Sequence, residues 1–282
     1  MKEFLLRVKG IFVPVQVKTD QGTDILPPKP IGPYLFVVFI IFFFIAKSAT
    51  EFSFITMLAK LFNFKLGPVG MIKRFFPIDW SYYPYVVEPI IETIQMSFLG
   101  SLIGSVLALP VAYFASQNLV KSRIVTGLIR VFLSILRTLP ILIYAVFFKL
   151  IYGLGAVAGT ISITIFTFSI VAKMLYERIE TIDLGAYHAV ESTGASKLKA
   201  FFVALMPSIS PIFFSISLYA FEINIRYAAI LGYVGAGGIG FILDDSMKNL
   251  SHNDRTIVIV LYIFLTVVII ESLSRYLRRR LS

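Results

Sequence analysis

Six stretches of this 282-residue chain are each apolar over about the length of a bilayer-spanning helix, and that repetition limits the fold more than any other feature. A helix rises about 1.5 Å per residue, so about 20 mostly apolar residues cross a hydrocarbon core of about 30 Å. The stretches run from Ile31 to Ala49, Pro89 to Ala115, Ile124 to Tyr152, Gly153 to Met174, Phe201 to Gly232 and Ile257 to Leu273. The third is long enough to include an interfacial turn. The pattern predicts an all-α, polytopic membrane helical bundle with six transmembrane helices. Composition agrees: 57% of residues are hydrophobic, 15% are charged and the mean hydropathy is +0.85. Soluble domains carry about 25% charged residues.

Orientation follows from where Lys and Arg fall beside the spans. The tail 1–30 carries Lys2, Arg7, Lys9, Lys18 and Lys29, and Pro27-Pro28-Lys29-Pro30 reads as a stiff entry into the membrane. Lys121 and Arg123, then Lys173, Arg178, Lys197 and Lys199, then Arg275, Arg278, Arg279 and Arg280 mark three further basic segments. Six spans place all four on one side, so both termini are expected in the cytoplasm. The external loop 50–88 runs against this trend with Lys60, Lys65, Lys73 and Arg74. Its stretch Phe54 to Phe62 is amphipathic and fits an interfacial helix.

Several function classes drop out. The chain has no Cys, and His188 and His252 are far apart, so no thiolate chemistry or metal cluster is expected. The formal charge of +10 sits beside apolar spans, so it reads as the basic bias of cytoplasmic loops rather than as a nucleic-acid surface. No nucleophile–base pair or paired carboxylate is placed for catalysis. Lys2, Arg7 and Lys9 do not open a secretory signal, because Pro14, Lys18, Asp20 and Asp24 interrupt any apolar core. Gly235-Ala236-Gly237-Gly238-Ile239-Gly240 satisfies GxGxxG formally, but it follows a membrane span and not a strand. It reads as a flexible, close-packed outer turn, with Gly235, Gly237, Gly238 and Gly240 as a gate or contact for an external partner. No Walker A sequence is present.

Gly100 and Gly104 have the small-xxx-small spacing of closely approaching helices, extended by Ser97, Ser101 and Ser105. Pro110, Pro140, Pro207 and Pro211 predict kinks. Ionisable groups inside spans are costly and mark either a function or a pair. Arg130 and Arg137 lie seven apart on one helical face, and Arg130 also fits an interfacial position. Glu222 and Arg226 lie four apart, near the outer part of the fifth span. They fit a local ion pair, or with Asn224 a polar lining for an anion that Glu92 and Gln95 would also reach. Asp244 and Asp245 read as solvated loop residues.

Gly185 to Pro207 is a mildly charged, Gly-broken helical segment between apolar spans, suited to a soluble partner's grip. Ala186, Ala189 and Val190 share a helical face, and Gly194 breaks the helix. Its spacing resembles the cytoplasmic segment of binding-protein-dependent ABC importer permeases. Gly194 and Pro207 stand at the Gly and Pro positions and Ala189 at the first Ala. His188, Val190, Ala204 and Met206 depart from the usual Glu, Ala, Ile and Leu. Phe76 to Tyr82, Glu92 to Ser97, Ala108-Leu109-Pro110, Arg137-Thr138-Leu139-Pro140, Phe221 to Arg226 and Leu231 to Gly240 are similar to the phosphonate branch of that family. Ile141 stands where an acidic residue is common.

The resemblance implies a type I importer permease over 89–275, with a coupling segment at 183–200 and a basic end at 276–282. It implies two permease copies, two cytoplasmic ABC ATPase subunits that bind ATP and Mg, and one external phosphonate-binding protein. This chain would hold no cofactor of its own. Ala186, His188, Ala189, Glu191, Gly194, Ala195 and Lys197 would meet the ATPase. Arg137 and Arg226 would guide a phosphonate oxyanion, with Glu222 and Asn224 along the same path. Phosphate, phosphite or a phosphorylated vitamin is the alternative cargo. A secondary transporter is the alternative mechanism, but no repeated halves are visible.

Overall fold

The computed structural model describes residues 17–18, 24–25, 31–50, 53–62, 76, 78–248 and 253–281. Most of the basic tail, the Pro27 to Pro30 entry, Lys65, Lys73, Arg74 and His252 lie outside the described residues. The chain forms two units, Met1–Ile72 and Lys73–Ser282.

In the first unit, strands β1 (Val17–Lys18) and β2 (Asp24–Ile25) pair antiparallel, with Lys18 opposite Asp24. Helix α1 (Ile31–Ala49) buries none of its residues against protein. A helix so apolar and so exposed has its solvent in lipid. The short helix α2 (Phe54–Leu61) follows.

The second unit opens on a 3-10 turn, Trp80–Tyr82, whose Ser81 N–H donates to Asp79 Oδ1 at 3.1 Å. Helix α3 (Tyr83–Ala115) then runs for 33 residues. It starts six residues before the expected Pro89, inside the stretch expected as external loop, because Pro84 at the helix start needs no N–H partner there. Its glycines set the main packing of the bundle. A Cβ on Gly100 would lie 2.6 Å from the Ile163 side chain, and one on Gly104 would lie 2.6 Å from the Thr164 carbonyl. Helix α6 (Ala156–Thr181) therefore lies almost backbone-to-backbone against α3.

The expected third span is not one helix. It is α4 (Arg123–Thr138) and α5 (Ile141–Tyr152), bent by 85°. Pro140 cannot donate and holds Leu139 extended, at φ −85° and ψ 125°. The Tyr144 hydroxyl bridges the bend by donating to the Leu136 carbonyl at 2.6 Å. Five described helical stretches are long and apolar enough to cross a membrane, and this bent pair makes a sixth.

Beyond α6, the short helices α7 (Gly185–Ser192) and α8 (Lys197–Ala200) lead into a π-turn, Phe201–Leu205, and then α9 (Met206–Leu231). Pro207 has no N–H and crowds the carbonyl one turn back, which the wider turn accommodates. A 3-10 turn, Gly232–Val234, leads to α10 (Ile239–Lys248) and α11 (Asn253–Leu281). Three buried clusters hold the unit together. They centre on Ala112, Leu175 and Ile209, on Met96, Ile163 and Leu231, and on Val86, Ile239 and Val258.

Candidate functional site

The α7–α8 segment has one anchored face and one open face. Tyr187 is buried and shares a hydrogen bond with Tyr113 of α3, while Phe201 packs edge-on against Tyr113 at 5.0 Å. Burial first, then Tyr113 and Glu191, pushes the Tyr187 hydroxyl above its ordinary pKa. Val190 packs inward beside Tyr187. That corrects the expected face: three residues of helix bring 187 and 190 together, and Val190 leaves Ala186 and Ala189. Ala186, His188, Ala189, Gly194 and Lys197 are exposed, and Glu191 and Ala195 are half-buried. His188 Nδ1 lies 3.4 Å from Glu191 Oε2. Gly194 ends α7 at φ +88°, and its N–H donates to the Glu191 carbonyl at 3.0 Å. Only glycine adopts that backbone without strain. Ser196 then caps α8, accepting the Lys199 N–H at 3.3 Å. The result is a firmly rooted knob with small residues outward.

Arg130 braces the same end of the bundle. Its Nη2 bonds Glu180, its Nε donates to the Ala115 carbonyl at 2.9 Å, and its guanidinium lies 4.6 Å from the centre of the Tyr176 ring. Glu180 also accepts the Gln117 N–H at 2.7 Å. Arg130 thus ties α3, α4 and α6 together. Glu180, the missed partner, is 50 residues away in sequence.

Glu222 is buried in a five-residue charge cluster. It accepts from Arg226 at 2.9 Å and from Arg278 at 2.6 Å. Arg226 also reaches Glu271 at 3.0 Å, and Arg275 bonds Glu271. The expected outer position is corrected. The cluster sits against the end of α11 that carries the C-terminal arginines, a register also marked by Ser274 Oγ donating to the Leu218 carbonyl at 3.3 Å. Arg226 is therefore shared between two carboxylates.

Asn224 points away from that cluster. It is buried and donates to Ser101 Oγ at 2.7 Å and Thr167 Oγ1 at 2.6 Å, joining α3, α6 and α9. Its Oδ1 has no hydrogen-bond partner. Arg137 ends α4 just before the bend, with Nε buried and unbonded and no carboxylate paired to it among the described residues. The four residues expected along one pathway thus stand at three places.

The Gly-rich turn is a close-packed junction, as its glycines lead one to expect. Gly235, Gly237 and Gly238 have φ of 80°, 80° and 71°. A Cβ on Gly240 would lie 1.9 Å from the Ala229 carbonyl, and one on Gly237 would lie 2.7 Å from the Ala156 nitrogen. Glu92 Oε2 accepts the Gly238 N–H at 3.2 Å, and Thr93 Oγ1 accepts the Ile239 N–H at 2.8 Å. Glu92 thus caps α10, where its charge suits the helix dipole, and does not join Arg226. Asp244 and Asp245 lie on α10, not in a loop, and Asp244 pairs with Lys248 at 2.5 Å.

The described helices form a membrane bundle with a broken span, a rooted knob between two long helices and a glycine-packed junction. The chain belongs to the family described as binding-protein-dependent transport system inner membrane component, whose model matches residues 100–282. It is 33% identical over 203 residues to the phosphite transport system permease protein PtxC of Stutzerimonas stutzeri, covering 72% of this chain and 74% of that one. It is 33% identical over 222 residues to the phosphate-import permease protein PhnE of Mycolicibacterium smegmatis, covering 78% of this chain but 42% of that longer protein. A putative cryptic phosphonate transport system permease protein, PhnE2 of Escherichia coli, is 34% identical over 119 residues, which are 42% of this chain and 97% of that one. Among solved structures, the inward-facing MetNI methionine ABC transporter contains a chain of the same fold. The TM-score is 0.62 at 21% identity, with 73% of this chain and all of that one covered.

Proposed function

We propose that this chain is the permease subunit of an ATP-driven importer of phosphonate-type oxyanions. The observation that carries the cargo class is the likeness at 33% identity to permeases named for phosphite and phosphate. Phosphite and phosphate themselves fit the same reading. The chain sits in the bacterial plasma membrane with both termini in the cytoplasm and pairs with a second copy of itself. Cytoplasmic ABC ATPase subunits hold ATP and Mg and grip the α7–α8 knob through Ala186, Ala189 and Gly194. An external binding protein delivers cargo beside the Gly235 to Gly240 junction. Closure of the ATPases rocks the helices as rigid bodies between outward and inward openings.

Arg137 is the cargo guide within this reading. Its guanidinium suits phosphoryl oxygens, and no carboxylate among the described residues neutralises it. Arg226 keeps a structural role.

The test is purification of the native complex, followed by ligand binding to the external protein recovered with it. An ATPase together with a phosphonate-binding protein is the expected result. An ATPase with a protein that ignores phosphonates moves the cargo to phosphite or phosphate. Recovery of no ATPase, with proton-driven uptake in vesicles lacking ATP, overturns the importer reading.

A further inference from the structure

Four arginines crowd the last turns of α11, and carboxylates neutralise only two of them among the described residues. Arg275 bonds Glu271 and Arg278 bonds Glu222. Arg279 and Arg280 are exposed and have no ion-pair partner among the described residues. Arg280 stacks over the Tyr276 ring at 5.0 Å, a contact that leaves the guanidinium edge and its N–H donors available.

An apolar groove of about 440 Å³ runs between α3, α9 and α11 beside this basic end. Phe98, Leu102, Phe214, Phe221, Leu273 and Leu277 are among its apolar lining residues. Leu273 and Leu277 lie four apart on one face of α11, and Arg280 falls three residues further along that face. The groove therefore leads along the helix toward the unneutralised guanidinium groups. Ser101, Ser105 and Ser217 add hydroxyls to the lining, but no charged residue lines it to hold a small oxyanion. The groove suits a molecule that is hydrocarbon along its length and anionic at one end. Basic pockets between membrane helices on the cytoplasmic side bind the headgroups of anionic lipids in this way.

We propose that the groove holds one acyl chain of an anionic phospholipid, with its phosphate bound by Arg280 and Arg279. The stacking on Tyr276 presets the Arg280 plane, and guanidinium N–H pairs match phosphate oxygens. The pairing of Arg275 and Arg278 with acids divides the labour: Arg278 fixes α11 to α9, Arg275 pairs within α11, and Arg279 and Arg280 face the lipid. The proposal is independent of the cargo, because lipid retention is read on the permease chain alone.

The experiment is native mass spectrometry of the full chain in detergent, with equal amounts of phosphatidylglycerol and phosphatidylcholine added. The wild-type chain should retain phosphatidylglycerol preferentially. A basic residue near an anionic surface contributes about fivefold, so Arg279→Gln with Arg280→Gln should reduce the preference about thirtyfold. Both positions are exposed, so this variant should keep the fold. Ser217→Phe, which narrows the groove, should lower retention with the arginines intact. An unchanged preference in the double arginine variant overturns the proposal. So does a Ser217→Phe chain that keeps its lipid but loses self-association, which would assign the groove to a second copy of the chain.

Discussion

Replacing Glu222 by Gln tests whether Arg226 holds the bundle together or waits for cargo. The side chain of Glu222 is 8% exposed and accepts one bond from Arg226 and one from Arg278. A hydrogen bond to a charged group contributes about 1.5–3 kcal/mol, and a neutral one about 1 kcal/mol. Glutamine keeps the shape and one acceptor oxygen, so each bond weakens without vanishing. Arg226 is 44% exposed and Arg278 25%, so water replaces part of the loss. Glu271, which meets Arg226 and Arg275, is then the one carboxylate left in the cluster. The expected cost is about 1–3 kcal/mol, or a fall in thermal midpoint of about 3–10 °C in a unit of this size. Differential scanning of the purified chain in detergent reads the midpoint. Arg278→Gln, alone and combined with Glu222→Gln, closes a double-mutant cycle. The structure requires a coupling near 1 kcal/mol, about the worth of one such bond. It also requires Arg226→Gln to lose stability and uptake together. A midpoint unchanged within about 1 °C, no coupling in the cycle, and an Arg226→Gln chain that is stable but transport-dead would refute the structural role.

The α3–α6 contact is equally exposed to test. Gly104→Ala places a Cβ 2.6 Å from the Thr164 carbonyl and 2.8 Å from Thr167 Cβ, so it should cost about 1–3 kcal/mol and broaden the size-exclusion peak. At Gly194 there is open space but a φ of +88°, so Gly194→Ala should cost about 1 kcal/mol of local strain, and Gly194→Asp should abolish ATPase co-purification while lowering the thermal midpoint no more than Gly194→Ala does. Burial raises the Tyr187 pKa above its unfolded value of about 10, so the stability it contributes is full below about pH 10 and is lost as pH climbs through the folded value. Tyr187→Phe should therefore flatten the fall in thermal midpoint as pH rises above about 10, at a cost of about 0.5–1.5 kcal/mol at neutral pH from the lost hydroxyl bond. An equal slope in both proteins would show that Tyr187 titrates outside the packed site.

The parts legible in the sequence are those governed by local pattern. Apolar runs near the bilayer length located the spans, since hydrocarbon leaves the backbone few alternatives. Four-residue glycine spacing marked the α3 face that meets α6, because helical neighbours repeat at that interval. Pro140 signalled a disturbance, yet a kink and an 85° break look alike until the packing around α5 is known. Glu222–Arg278 and Arg130–Glu180 stayed hidden, because their partners are 56 and 50 residues away and no periodicity joins them. The inward turn of Val190 depended on Tyr187 finding Tyr113, a contact between separate helices. The glycine run read as a close-packed turn, but its neighbours could not be named from glycine spacing alone. In the fold, the same lack of side chains lets Ala156 and Ala229 close in on it.

Residues Lys197–Val234 form one uninterrupted helical stretch of 38 residues, with no loop between the knob and the glycine junction. At about 1.5 Å per residue it is a rod roughly 57 Å long. A tilt of about 10° around its middle displaces each end by roughly 5 Å in opposite directions, from that length alone. Whatever pushes the knob end of such a rod has already moved its far tip, so the two ends of the bundle share one mechanical coordinate and cannot be set independently.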